Sequence, residues 1–145
     1  MRPWCWLVLA LALGACTPLT RTAGPYESKA VKTAASVRSA VESDLLLLEA
    51  VRMHRTIGPF VAVAASDAED AASSAASTFL SIQPPDDRSD QIRDELSHML
   101  DATQDVLATV RIAARRGDER SLQFAEHGLR VSATELDRFR RRHGS

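Results

Sequence analysis

The sequence predicts an all-α protein, an antiparallel up-down bundle of four helices, and three observations carry that expectation. From Tyr26 onward apolar residues recur at spacings of three and four, with no run of alternating β-branched residues. Proline or glycine interrupts the pattern at Gly58-Pro59, Pro84-Pro85 and Gly117, leaving segments of helical length. The joints are short, which makes consecutive helices antiparallel neighbours. A sharp bend between the first two helices, at the tight Gly58-Pro59 joint, is the alternative arrangement.

The first helix is expected from about Glu27 to Thr56, burying Ala30, Ala34, Val37, Val41, Leu45, Leu48 and Val51. Gly58-Pro59 should end it, a residue suited to a C-cap followed by one that cannot continue the helix. The second helix runs from about Pro59 to Ile82. Its inward face is mostly alanine: Val61, Ala64, Ala65, Ala68, Ala72 and Ala75, then Phe79 and Ile82. Small side chains let backbones approach closely, and alanine costs least in helix formation. Pro84-Pro85 stops it, and Asp86, Asp87 and Ser89 are N-cap candidates for the third helix. There Ile92, Leu96, Met99, Thr103, Val106, Val110 and Ala113 alternate by four and three, widened by Leu100 and Leu107. Arg115-Arg116-Gly117 places cations and then a glycine at its end. Asp118 should cap the fourth helix, which buries Leu122, Ala125, Leu129, Ala133, Leu136 and Phe139.

Composition bounds the rest. A chain of 145 residues has room for one domain. With 45% hydrophobic and 26% charged residues it is globular in character and not disordered. A net charge of -1 supplies no general attraction for nucleic acid, so no nucleic-acid partner is expected.

The first residues have a separate logic. A positive start at Arg2 leads into an apolar run from Trp4 to Leu13, which ends in Gly14, Ala15 and Cys16. This is the layout of a secretory signal peptide. The run is well short of the roughly 20 residues that span a bilayer as a helix. Thr17-Pro18 and Gly24-Pro25 are then expected to break any helix continuing from it. The bulky Leu13 stands where an ordinary signal peptidase prefers a small side chain.

Leu13-Gly14-Ala15-Cys16 resembles the lipobox of bacterial lipoproteins, and the chain after it resembles the small alanine-rich helical lipoproteins of high-GC Gram-positive bacteria. The resemblance implies that the Cys16 thiol receives a diacylglyceryl group and that cleavage falls between Ala15 and Cys16. It divides the chain into a signal peptide (residues 1–15), a lipidated N-terminus and flexible tether (16–25), and a bundle domain (26–145). Cys5 would leave with the signal and Cys16 would be alkylated, so no thiol remains for a disulfide, a metal or catalysis. Two acyl chains make a stable anchor where one binds reversibly. The implied location is the extracytoplasmic face of a cell membrane, with the membrane itself as the first partner, held through the N-terminal lipid.

Candidate sites in the bundle are few. Glu95-Leu96-Ser97-His98 has the Glu-x-x-His spacing of di-iron bundles, which makes Glu95 and His98 metal-ligand candidates. Such centres need a second Glu-x-x-His motif and two more inward carboxylates; the sequence has no second motif, and His98 is expected to point outward. His54 follows Met53 and His98 precedes Met99, but two separate pairs do not make a soft-metal site. Met53 and Met99 are read as core or near-core packing residues. Asp44 falls on the apolar face between Val41 and Leu48. Burial would require a partner, with Arg52 or Arg111 as candidates. A rotation of one residue exposes it, and exposure is the expectation. The basic tail, Arg138, Arg140, Arg141 and Arg142, is read as closing a helix C-terminus, with contact to anionic lipid as the alternative.

No phosphate loop or nucleophile elbow is present, and neither an enzymatic activity nor a cofactor is expected. The leading functional expectation is a non-enzymatic, membrane-anchored bundle with a binding or structural role, its partner another envelope protein. The alternative is a small-ligand or metal-binding lipoprotein that uses an inter-helix cavity near Asp44, His54 or His98.

Overall fold

A computed structural model describes residues 23–56 and 58–144 as four α-helices: α1 (Ala23–Arg52), α2 (Gly58–Leu80), α3 (Asp87–Arg116) and α4 (Glu119–His143). Each helix packs against the next, α1 also packs against α4, and α1 touches α3 across the diagonal. The all-α four-helix bundle is therefore the fold. Its near end gathers the start of α1, the α2–α3 joint and the end of α4. The far end carries the α1–α2 and α3–α4 joints.

The helix ends follow local chemistry, with two departures. Helix α1 starts at Ala23, so the Gly24-Pro25 pair assigned to the tether is helical. The first turn has no intrahelical use for an N–H, and proline's fixed φ suits it. At its other end α1 closes four residues short of the expected Thr56, and Gly58-Pro59 does not stop it. His54 takes the left-handed conformation (φ 53°) instead. Its N–H donates to the Val51 carbonyl at 2.9 Å and the Arg55 N–H to the Ala50 carbonyl at 2.9 Å. That pair of bonds is a Schellman cap with histidine where glycine is usual. Gly58-Pro59 opens α2.

The remaining caps lie where the side chains implied. The Asp86 carboxylate accepts from the Ser89 N–H at 2.8 Å, and Asp118 accepts from that of Ser121 at 3.1 Å. Hydrogen bonding from the side chains and then the backbone of Ser89 and Ser121 holds the two carboxyl groups below the usual aspartate range. Gly117, at φ 64°, closes α3 with the same two-bond cap.

The core is built from the expected stripes, rotated slightly in α3. Leu96, Leu100, Thr103, Leu107 and Val110 are sealed there, while Met99 and Val106 are only partly buried. Helix α3 meets three neighbours, so its covered face is broader than one seam. Thr103 is accommodated by donating its hydroxyl to the Met99 carbonyl at 2.7 Å. Small residues on α2 (Ala65, Ala68, Ala72, Ala76) let the helices close tightly, and Phe79 fills the near end against Tyr26 at 5.4 Å. Burial raises the Tyr26 hydroxyl above the ordinary tyrosine value.

Candidate functional site

Leu48, Val51 and Leu122 form the apolar floor of a cleft of about 210 Å³ at the far end, between α1 and the start of α4. Arg52 and His54 stand on one side, and Glu119, Gln123 and Glu126 on the other. The three α4 residues share a helix face at spacings of four and three, so they make one polar wall. Glu126 is already paired with Arg130 at 2.6 Å. A second lobe of about 200 Å³ continues past Val51 and His54 to Val61, Ala114 and Gly117. The left-handed turn at His54 places the imidazole on the rim of both lobes.

Among the described residues, the far half also carries most of the large exposed apolar side chains. Leu46, Met53, Phe60, Val63, Ile112 and Phe124 all lie there, with Phe124 80% and Phe60 58% exposed; Val131 sits at the midpoint of α4. Met53, expected in or near the core, is among them, because α1 ends one residue before it and the cap turns it outward. Met99 does pack against the core.

Asp44 overturns the expectation of exposure: it is 1% exposed. Neither carboxylate oxygen has a hydrogen-bond partner among the described residues. Arg111, one of its candidate partners, binds Glu69 of α2 instead, through Nε and through Nη2 at 3.4 Å. Arg52, the other, lies 4.0 Å from the exposed Glu49. Burial, reinforced by the nearby Glu69 charge, pushes the Asp44 carboxyl up to about 7. Asp44 lies one turn along α1 from Leu48, inside the cleft floor, and the cleft walls do not include it.

Glu95 and His98 do not converge. His98 is exposed, whereas Glu95 faces α4, where Arg142 and His143 take its carboxylate. His143 is the link that no sequence motif announced. Its Nδ1 lies 3.2 Å from Glu27 of α1 and its Nε2 lies 3.2 Å from Glu95 of α3. Only an imidazolium can donate from both nitrogens. The Phe139 ring, at 4.5 Å, supports it from below. Two other tail arginines, Arg140 and Arg141, pair with Asp137. Among the described residues no three histidine, cysteine, aspartate or glutamate side chains are placed to hold a metal ion.

Cys16, Ala15 and the rest of the expected signal peptide and tether up to residue 22 lie outside the described residues. No helix among the described residues is long and apolar enough to cross a membrane. Comparison with protein-family models, with curated proteins and with solved structures finds no match for this chain.

Proposed function

We propose that the chain is a membrane-anchored lipoprotein whose helical bundle binds another protein on the extracytoplasmic face of the cell envelope. The observation that carries this reading is Leu13-Gly14-Ala15-Cys16 placed directly after a positive start and a short apolar run. Lipid on Cys16 would leave six residues before α1 begins at Ala23, a reach of about 20 Å at full extension. The near end of the bundle then faces the bilayer. The far end, with its exposed apolar side chains and cleft, stands off by the length of a 30-residue helix, about 45 Å. Surface apolar groups gathered at one end are the kind of patch that marks an interaction site. The reading assigns the bundle no reaction.

Metabolic labelling with a lipid precursor tests the anchor. The wild-type chain is expected to take up label and sediment with membranes, and Cys16→Ala to do neither. A Cys16→Ala chain that still labels and stays membrane-bound refutes the proposal. Cross-linking in intact membranes tests the binding half, with far-end residues expected to join a second protein. The cleft favours one further reading, capture of a small ligand beside His54. Native mass spectrometry and elemental analysis of protein purified without additions separate the two, since a stoichiometric small molecule or metal supports the ligand reading.

A further inference from the structure

The far end differs in charge from the rest of the molecule. Five arginines, Arg52, Arg55, Arg115, Arg116 and Arg120, cluster at the two joints and are all exposed. Four carboxylates share that end, Glu49, Asp118, Glu119 and Glu126, the last paired with Arg130. Asp118 is occupied in capping α4 through Ser121. Arg55, Arg115, Arg116 and Arg120 form no ion pair among the described residues. The remainder of the described chain holds fifteen carboxylates against eleven lysine and arginine side chains. A locally basic tip thus stands on an acidic body, and at the near end Arg88, Arg140, Arg141 and Arg142 are paired with carboxylates instead.

We infer that the far end is a docking surface for an acidic protein segment that inserts one apolar side chain into the cleft. The inference rests on the binding half of the proposed function and is independent of the lipid anchor. The floor formed by Leu48, Val51 and Leu122 suits a single aliphatic side chain in both size and character. A pocket that desolvates one anchor, ringed by polar contacts, is the usual centre of a protein interface. Arginine and aromatic side chains are enriched there, and Arg52 stands on the wall of this one.

Glu119 on the cleft wall sets the register of the bound segment. It repels a carboxylate inside the cleft, so the acidic residues of the partner must lie to either side of the anchor, over Arg55, Arg115, Arg116 and Arg120. Electrostatic complementarity of this kind chiefly raises the association rate and selects the partner. A bilayer surface fits less well. Insertion needs several apolar residues at the extremity, whereas beside Met53 the joints present His54-Arg55-Thr56 and Arg115-Arg116-Gly117-Asp118.

The test uses the full chain in neutral detergent and a fluorescent glutamate-rich peptide carrying one leucine, followed by anisotropy. Comparison probes are the same peptide without leucine, a lysine-rich peptide with the leucine, and phosphatidylglycerol vesicles offered to a detergent-free, unlipidated Cys16→Ala chain. The Glu/Leu peptide is expected to bind, at least fivefold more tightly than its leucine-free counterpart, and to weaken as salt is raised. The lysine-rich peptide is expected not to bind. Replacing Arg55, Arg115, Arg116 and Arg120 with Ala should weaken binding tenfold or more. Gln123→Trp, which fills the cleft from an exposed position, should erase the preference for leucine. Circular dichroism confirms that both variants fold. No binding of the Glu/Leu peptide, equal affinity with and without leucine, binding of vesicles alone, or an arginine-free tip that still binds would each overturn the inference. Loss of peptide binding with Cys16 labelling intact refutes this surface alone, and loss of labelling with peptide binding intact refutes only the anchor.

Discussion

At the scale of single residues, Asp44 is the most expensive group in the protein. A carboxylate sealed in an apolar interior without a partner favours its neutral form, and this one is raised to about 7 while an unfolded chain titrates near 4. Between those values the folded state holds a proton that the unfolded chain has released, so stability falls as pH rises through the window and levels off above it. The full loss is about 4 kcal/mol. Asp44→Asn keeps the shape and removes the titration. Urea unfolding at pH 4.5 and pH 8 is expected to show the wild type losing most of that amount relative to Asp44→Asn. Equal behaviour of the two chains at both pH values would mean that water reaches the carboxylate. Asp44→Leu, which removes the buried polar group altogether, should be more stable than the wild type at pH 8 by about 2–4 kcal/mol. Pattern alone could not place this residue, because it sits at the margin of the α1 stripe and its burial depends on helix rotation.

At the scale of the element, the two bundle joints at the far end pose a matched experiment. Both helices that finish there use a left-handed residue and the same two hydrogen bonds, but one supplies Gly117 and the other His54. A side chain in that conformation costs roughly 1 kcal/mol. Gly117→Ala should therefore lower stability by about 1 kcal/mol and His54→Gly raise it by a similar amount, read as opposite shifts in melting temperature. Gly128 has a different role: a Cβ there would meet the Val106 methyls at 3.0 and 3.1 Å, so it sets the approach of α4 to α3. The four-helix pattern, the caps at Asp86 and Asp118 and the stop at Gly117 were legible in the sequence because each is decided by residues within one turn. The end of α1 was not, since His54 is an uncommon choice for a glycine role. Nor was its start, where Pro25 marks a break in one context and a first turn in another.

At the scale of the whole molecule, the two ends are held by different means, and neither was legible. The tip draws its arginines from two joints about 60 residues apart in sequence, and the near-end clamp joins Glu27 to His143. Such constellations exist only after the helices are packed, so no local spacing signals them. The clamp ties the end of α4 to the beginnings of α1 and α3, at the place where the proposed anchor would pull on the bundle. It is partly exposed, so its contribution to overall stability is at most about 1 kcal/mol. Phe139, one turn earlier and fully buried, belongs to the core, and its truncation should cost about 3–5 kcal/mol. The two substitutions therefore separate local from global effects under hydrogen exchange. His143→Ala is expected to speed exchange in the second and third turns of α1 while leaving the slowest amides of the bundle almost unchanged. Phe139→Ala should speed exchange in all four helices together, as expected when the stability of a cooperative unit falls. If His143→Ala leaves the early α1 amides as protected as in the wild type, the bridge between Glu27 and Glu95 does not hold that end closed.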